Sequence, residues 1–331
     1  MKITFIGAGA WNGALSAVLS DNHQDTLLYS ISPEQEQEIN SFHTNRKYLG
    51  DNPLPENVRC TTDIKKAMEE PDVIVLGVPS NCIRSAVRDF LPYLKSNPIL
   101  VNVAKGFDPV TFEGMTGMLE KLIPEDRIQG VVSLMGPSFA LEVIRKENTA
   151  ICAVGHHVEL NRKIQTLFSN DYFRVYTQDD VIGAEIGAGM KNIIAIASGI
   201  LKGLGYENNS RAALITRGLA EITRFGIYKG AKEKTFLGLT GIGDLFLTCS
   251  STTSRNFTAG FKIGQMNSSE EFMKTNTTTV EGIEACKLIY KEARKDGISV
   301  PITDSVYQIL FEGKKPSEVV KEMMNRTLKA E

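Results

Sequence analysis

Lys191 is out of place for a charged residue. It lies on a face of small residues (Ala184, Ala188, Ala195, Ser198) beside an apolar stripe of Ile186, Met190, Ile193, Ala197, Ile200 and Leu204, spaced as one side of a helix. Burial there disfavours the ammonium and lowers its pKa from about 10.4, which makes a usable proton acceptor. The alternative is a lysine snorkelling at a helix edge. Asp244 sits in Gly241-Ile242-Gly243-Asp244-Leu245, among glycines and apolar residues. An acid so placed could orient Lys191, hydrogen-bond a substrate hydroxyl, or cap a helix. Ser254-Arg255-Asn256 gathers a hydroxyl, a guanidinium and an amide. The trio suits a phosphate, which arginine can hold bidentately, although a solvated loop would read the same way.

A second group of candidates falls at strand ends in the first half. Gly7-Ala8-Gly9-Ala10-Trp11-Asn12 follows the strand-like run Lys2–Ile6 and opens a helix. In a dinucleotide fingerprint the first glycine permits the tight turn. The second lets the pyrophosphate approach the backbone, at a helix N-terminus that offers N–H donors. Asn12 stands where the third glycine is expected. Leu28-Tyr29-Ser30-Ile31-Ser32-Pro33 carries neither the acid that holds a ribose 2′-hydroxyl nor an arginine for a 2′-phosphate. Ser30 and Ser32 could hydrogen-bond to either form, so NAD and NADP both stay open. Lys105, in Val103-Ala104-Lys105-Gly106, would face an anionic cofactor or substrate unless it is a plain surface lysine. Gly136-Pro137-Ser138 could offer a backbone N–H and a hydroxyl to an oxygen ligand, or be a simple turn. Val78-Pro79-Ser80 ends a further buried run.

These candidates need elements to place them. Lys2–Ile6, Thr26–Tyr29, Val73–Val78, Ile99–Val103 and Val131–Met135 read as strands alternating with helical stretches such as Ala14–Ser20. Ala150–Val154 and Arg174–Tyr176 could extend the sheet. Continuous apolar runs of this kind predict a parallel sheet covered on both faces. After Thr177 the character changes: Thr177 and Asp180 resemble a helix-start capping arrangement. The rest is mostly helical, including Ala212–Lys229, Val280–Asp296 and Pro316–Leu328. The expected fold is therefore α/β, with an N-terminal Rossmann-type, mostly parallel sheet over 1–178 and a C-terminal all-helical domain over 179–331.

Composition limits the remaining possibilities. Of 331 residues 42% are hydrophobic and 23% charged, which excludes wholesale disorder. A net charge of −2 argues against a nucleic-acid grip. Five scattered cysteines without a C-x-x-C, behind no signal peptide, fit a reducing cytoplasm. His23, His43, His156 and His157 lack metal-ligand spacing, so no metal is expected, and His156-His157 reads as a solvated turn. No apolar run approaches the roughly 20 residues of a membrane span.

In order, the segments GAGAW (7–11), NRKYLGDNPLPENV (45–58), VPSN (78–81), AKGF (104–107), GPSFALEV (136–143), GAGMKNIIAIASGI (187–200), RAALITRGLAEITRFG (211–226), GLTGIGDLFLTCSS (238–251), SRNF (254–257) and VEG (280–282) resemble the bacterial-type NAD(P)-dependent sn-glycerol-3-phosphate dehydrogenases from end to end. The run from 187 to 257 is the most specific. The resemblance implies Lys191 as proton acceptor. It implies glycerol-phosphate contacts at Lys105, Gly136, Ser138, Asp244, Ser254, Arg255 and Asn256. It implies cofactor contacts at Trp11, Lys105, Ala140, Arg255 and Glu281, beside Gly7, Gly9 and Ala10 of the fingerprint. It also implies a phosphorylated triose substrate, a role in phospholipid supply and a homodimer. The family has glycine where Asn12 stands, which bears on helix–strand packing. It has a basic residue near Ile31, which bears on the NADP mode. The residues alone also admit a 3-hydroxyacid or ketopantoate-type reductase, since arginine can hold a carboxylate. A cofactor-binding sensor without turnover would leave the lysine, the acid and the arginine without a task.

Overall fold

The computed structural model describes residues 1–108 and 111–327. The chain divides into two compact units, Met1–Val181 and Ile182–Glu331.

The first unit is built on strands β1 (Lys2–Ile6), β2 (Asp25–Tyr29), β3 (Arg59–Thr61), β4 (Val73–Leu76), β5 (Ile99–Asn102), β6 (Gly130–Met135), β7 (Thr149–Val154) and β8 (Phe173–Gln178). They form one sheet in the order β3-β2-β1-β4-β5-β6-β7-β8. All pairs are parallel except β6 with β7. The central strands are buried on both faces because alternate residues feed two cores. Ile3, Phe5, Val73, Val75, Val101 and Val132 pack on one side, and Ile6, Ile74, Leu76, Leu100 and Val131 on the other. This Rossmann-type order brings the carboxyl ends of β1, β4, β5 and β6 side by side, where open α/β sheets bind ligands.

Three features depart from the expectation. β3 was not anticipated, since its three residues begin with an exposed arginine. β7 runs antiparallel to β6, and strand direction is set by connections that leave no mark on composition. Thr177 does not cap a helix. It pairs with Ala153 inside β8, and the helix begins at Val181. Phe173 and Val175 are buried while Arg174 and Tyr176 are exposed, and this edge-strand alternation carries the strand on to Gln178. His156 and His157 are exposed, as a solvated turn requires.

No strand occurs among the described residues of the second unit. Its central helix, Val181–Gly203, is long and apolar enough to cross a bilayer, but 89% of its apolar window is buried. It is a core helix, buried around nearly all its circumference and not along one stripe. The Arg255–Met266 helix lies directly on it: a Cβ on Gly260 would stand 2.0 Å from the carbonyl oxygen of Ile196. The Pro316–Met324 helix ends before the expected Leu328, which lies outside the described residues.

Candidate active site

Lys191 falls midway along the Val181–Gly203 helix and is 4% exposed. Its Nζ lies 2.5 Å from Oδ1 of Asp244, which is 1% exposed. Nζ also donates to Thr248 Oγ1 at 2.9 Å, and Thr248 Oγ1 donates to the Asp244 carbonyl at 2.6 Å. Asp244 opens the Asp244–Ser250 helix and Thr248 follows one turn later, so both face the lysine. The cap position is Gly243, so the capping alternative for Asp244 is not taken. Two glycines let this happen. A Cβ on Gly187 would stand 2.5 Å from the Thr240 carbonyl oxygen, and one on Gly241 would stand 2.2 Å from that of Phe236. Any side chain there would push the turn before Asp244 off the lysine helix. At the far end, Arg211 donates to the Cys249 carbonyl at 3.1 Å and to Ser198 Oγ at 3.3 Å. A guanidinium on the last carbonyls of a short helix complements its dipole. Burial disfavours the Lys191 ammonium, and the Asp244 carboxylate favours it. The two effects oppose each other at the nitrogen.

A second polar group gathers on Glu281. Arg255 Nη2 approaches its Oε1 at 3.2 Å, and Asn192 Nδ2 its Oε2 at 3.5 Å. Asn192 follows Lys191, so one carboxylate ties the lysine helix to the arginine. Asn256 is buried, and its Oδ1 accepts from Gly282 N at 2.8 Å. Ser254 caps the Arg255–Met266 helix, its Oγ accepting from Phe257 N at 3.3 Å.

In the first unit, Gly7 follows β1 with φ +96°, and a Cβ there would meet Gly77 O at 3.0 Å. Gly9 precedes the Ala10–Asp21 helix, whose first turn has no side-chain cap and no acid, and a Cβ on Gly9 would meet nothing within 4 Å. The result is an open backbone cradle on free N–H donors, which fits a dinucleotide pyrophosphate. Asn12 occupies the missing glycine's place without loosening the packing. Its Nδ2 donates to the carbonyls of Ile6 at 3.0 Å and Gly7 at 2.7 Å. The room comes from Gly77, where a Cβ would lie 2.0 Å from Asn12 Oδ1. Gln35 Nε2 and Asn45 Nδ2 hold the Ala8 carbonyl at 2.7 and 2.9 Å. Ser30 and Ser32, expected near a ribose, are engaged locally. Ser30 Oγ donates to Gln35 at 2.5 Å, and Ser32 caps the Pro33–Phe42 helix. Trp11 and Ala140 pack partly buried against the sheet core. Lys105 and Gly106 follow β5. Gly136 (φ +147°) and Ser138 follow β6, and Ser138 Oγ donates to the Gly136 carbonyl at 3.3 Å.

Two family models match the chain: the N-terminus of NAD-dependent glycerol-3-phosphate dehydrogenase over residues 2–160, and the C-terminus of the same family over residues 180–321. The glycerol-3-phosphate dehydrogenase [NAD(P)+] of Staphylococcus epidermidis is 43% identical over 330 residues, covering 100% of this chain and 99% of the relative. That of Lysinibacillus sphaericus is 42% identical, covering 100% and 98%. The crystal structure of glycerol-3-phosphate dehydrogenase from Coxiella burnetii aligns with TM-score 0.88 at 31% identity, covering 98% of this chain and 99% of that one. The chain belongs to the NAD-dependent glycerol-3-phosphate dehydrogenase family. In this family member, Lys191 and Asp244 are brought together, as are Arg255 and Glu281. Gly7, Gly9, Ala10, Lys105, Gly136 and Ser138 fall at the carboxyl ends of β1, β5 and β6 or just beyond. Sequence reasoning missed Thr248, Gln35 and Asn45. The four-residue step from Asp244 to Thr248 could have revealed the first; the other two act through contacts distant in sequence.

Proposed function

We infer that this chain interconverts sn-glycerol 3-phosphate and dihydroxyacetone phosphate: glycerol 3-phosphate + NAD(P)⁺ ⇌ dihydroxyacetone phosphate + NAD(P)H + H⁺. The observation that carries the reading is the buried Lys191 amine 2.5 Å from Asp244, in a chain whose two halves both match the family. The Gly7–Asn12 cradle suits the dinucleotide, which when bound supplies or accepts the hydride at substrate C2. Lys191 handles the proton. In reduction its ammonium donates to the C2 carbonyl oxygen as that oxygen gains charge. In oxidation the neutral amine takes the C2 hydroxyl proton. Asp244 and Thr248 both hold it, so the nitrogen has a fixed place in either direction. Arg255 and Asn256 are the proposed phosphate contacts; Gly282 N donates to Asn256 Oδ1, which leaves the NH2 end of that amide as the donor. Lys105, Gly136, Ser138 and Ser254 are the further substrate contacts of the proposal.

NAD and NADP are both accommodated, since the 30–33 segment holds neither a carboxylate nor an arginine. A homodimer, a cytoplasmic location and a role in supplying glycerol 3-phosphate for phospholipid synthesis complete the proposal. The test is the rate of dihydroxyacetone phosphate reduction with NADH and with NADPH, followed at the reduced-nicotinamide absorbance beside ketopantoate. Turnover of the phosphorylated ketone is expected. Turnover of the keto acid alone would replace this reading with a carboxylate reductase.

A further inference from the structure

Lys105 is held from behind by side chains that no family motif includes. Asn102 ends β5 and is fully buried. Its Oδ1 accepts from Ala104 N at 3.0 Å, and its Nδ2 donates to the Ala104 carbonyl at 3.1 Å. One amide therefore pairs both backbone groups of the residue before Lys105, as a neighbouring strand would, at the point where the strand has ended. The same Nδ2 donates to Ser133 Oγ at 3.0 Å, and Ser133 Oγ lies 3.0 Å from Thr116 Oγ1. Ser133 and Thr116 are also fully buried. Beyond Lys105, Gly106 turns with φ +117°. Asp108, itself fully buried, then accepts from Arg84 and, at 3.0 Å, from Thr111 Oγ1. The lysine thus sits on a short span fixed at both ends.

A buried three-member polar network on the sheet face that also carries Leu100 and Val131 costs desolvation that an apolar trio would not. Such networks specify geometry more than they add stability. We propose that Asn102, backed by Ser133 and Thr116, is the positioning residue that fixes the backbone of Ala104 and so aims the Lys105 ammonium at the phosphate oxygens of the bound substrate or dinucleotide. The inference rests on the proposed role of Lys105 as an anion contact.

The test is a double-mutant cycle on the full-length chain: wild type, Asn102→Ala, Lys105→Met and the pair. The readouts are KM and kcat for dihydroxyacetone phosphate, NADH affinity by fluorescence titration, and hydrogen–deuterium exchange of a peptide covering Asn102 to Phe107 without ligand. Asn102→Ala should raise KM by about tenfold or weaken NADH binding comparably, and should speed exchange at that peptide. In the Lys105→Met background it should add nothing further to either constant. Penalties that multiply in the pair would mean that Asn102 acts on the fold and not through Lys105, and would overturn the proposal. So would an unchanged Asn102→Ala beside an impaired Lys105→Met. If Lys105→Met itself changes neither constant, the role assigned to Lys105 has failed, and the positioning role falls with it. Should Asn102→Ala not fold, Asn102→Asp keeps the acceptor for Ala104 N and loses both donor contacts, and Ser133→Ala removes one support. The same cycle then decides with either variant.

Discussion

Nζ of Lys191 and Oδ1 of Asp244 are both out of water, so neither can be altered alone without leaving the other uncompensated. Lys191→Ala should lower kcat by about 10²–10⁴-fold, the usual worth of a positioned proton-transfer group. The dinucleotide cradle is built from other residues, so NADH fluorescence titration should give near-wild-type affinity. Near-normal turnover would remove Lys191 from the mechanism. Asn12 makes a different case. Taken from the sequence it is a damaged glycine; in the fold it donates to two carbonyls and fills the space Gly77 leaves. Gly77→Ala alone should therefore destabilise the chain and weaken NADH binding, and adding Asn12→Gly should recover part of both losses, measured by thermal melts and titration. Failure of the second change to help at all would uncouple the pair. Lys191 and Asp244 were legible because a charge among glycines and alanines is conspicuous. Thr248 was not, since a threonine in an apolar helix looks like filler until its hydroxyl is seen between the lysine and a carbonyl.

The elements were easiest to read where burial is two-sided. β1, β4, β5 and β6 appear as apolar runs because both faces of the sheet are covered. β3 was invisible, since three residues with one exposed carry almost no period. The direction of β7 depends on its connection to β6. Among the helices, Lys229 ties the end of the Asn208–Tyr228 helix to Glu281–Asp296 through Glu292 at 2.6 Å and Asp296 at 2.5 Å. Burial pulls its pKa down, but the hydrogen bonds to Asp296 and Glu292 outweigh this, and the net shift is upward from 10.5. The folded chain then binds this proton more tightly than the unfolded one. The stabilisation is complete below the unfolded value and fades as pH rises through the folded one. Lys229→Met should cost about 1 kcal/mol near neutrality, the upper end for partly exposed pairs. In urea titrations the gap from wild type should hold from neutral pH up to the unfolded value and narrow above it. A gap of equal size on both sides would show that the lysine contributes through its methylene packing and not its charge.

At the scale of the whole molecule, the order of motifs was more informative than any one of them. A lone G-x-G is generic, and a lysine or an arginine has a bland reading. The run of a lysine after Gly187-Ala188-Gly189, an acid after Gly241-Ile242-Gly243 and Ser-Arg-Asn in fixed order left few alternatives; the C-terminal family model covers it, and the N-terminal one covers the dinucleotide half. That division of labour has a kinetic consequence. The substrate phosphate is remote from C2, so binding energy realised there serves to orient the reacting carbon, and its loss should appear in kcat as well as KM. Dihydroxyacetone, which lacks the phosphate, should be reduced far more slowly than dihydroxyacetone phosphate even at saturation. Arg255 is exposed and paired with Glu281, so a phosphate held there would share or displace that contact. If its task is the phosphate alone, Arg255→Ala should cost about 2 kcal/mol or more in kcat/KM for the phosphorylated ketone. The unphosphorylated one should be almost unaffected. Equal losses for both substrates would move Arg255 from phosphate recognition to the support of Glu281 and Asn192.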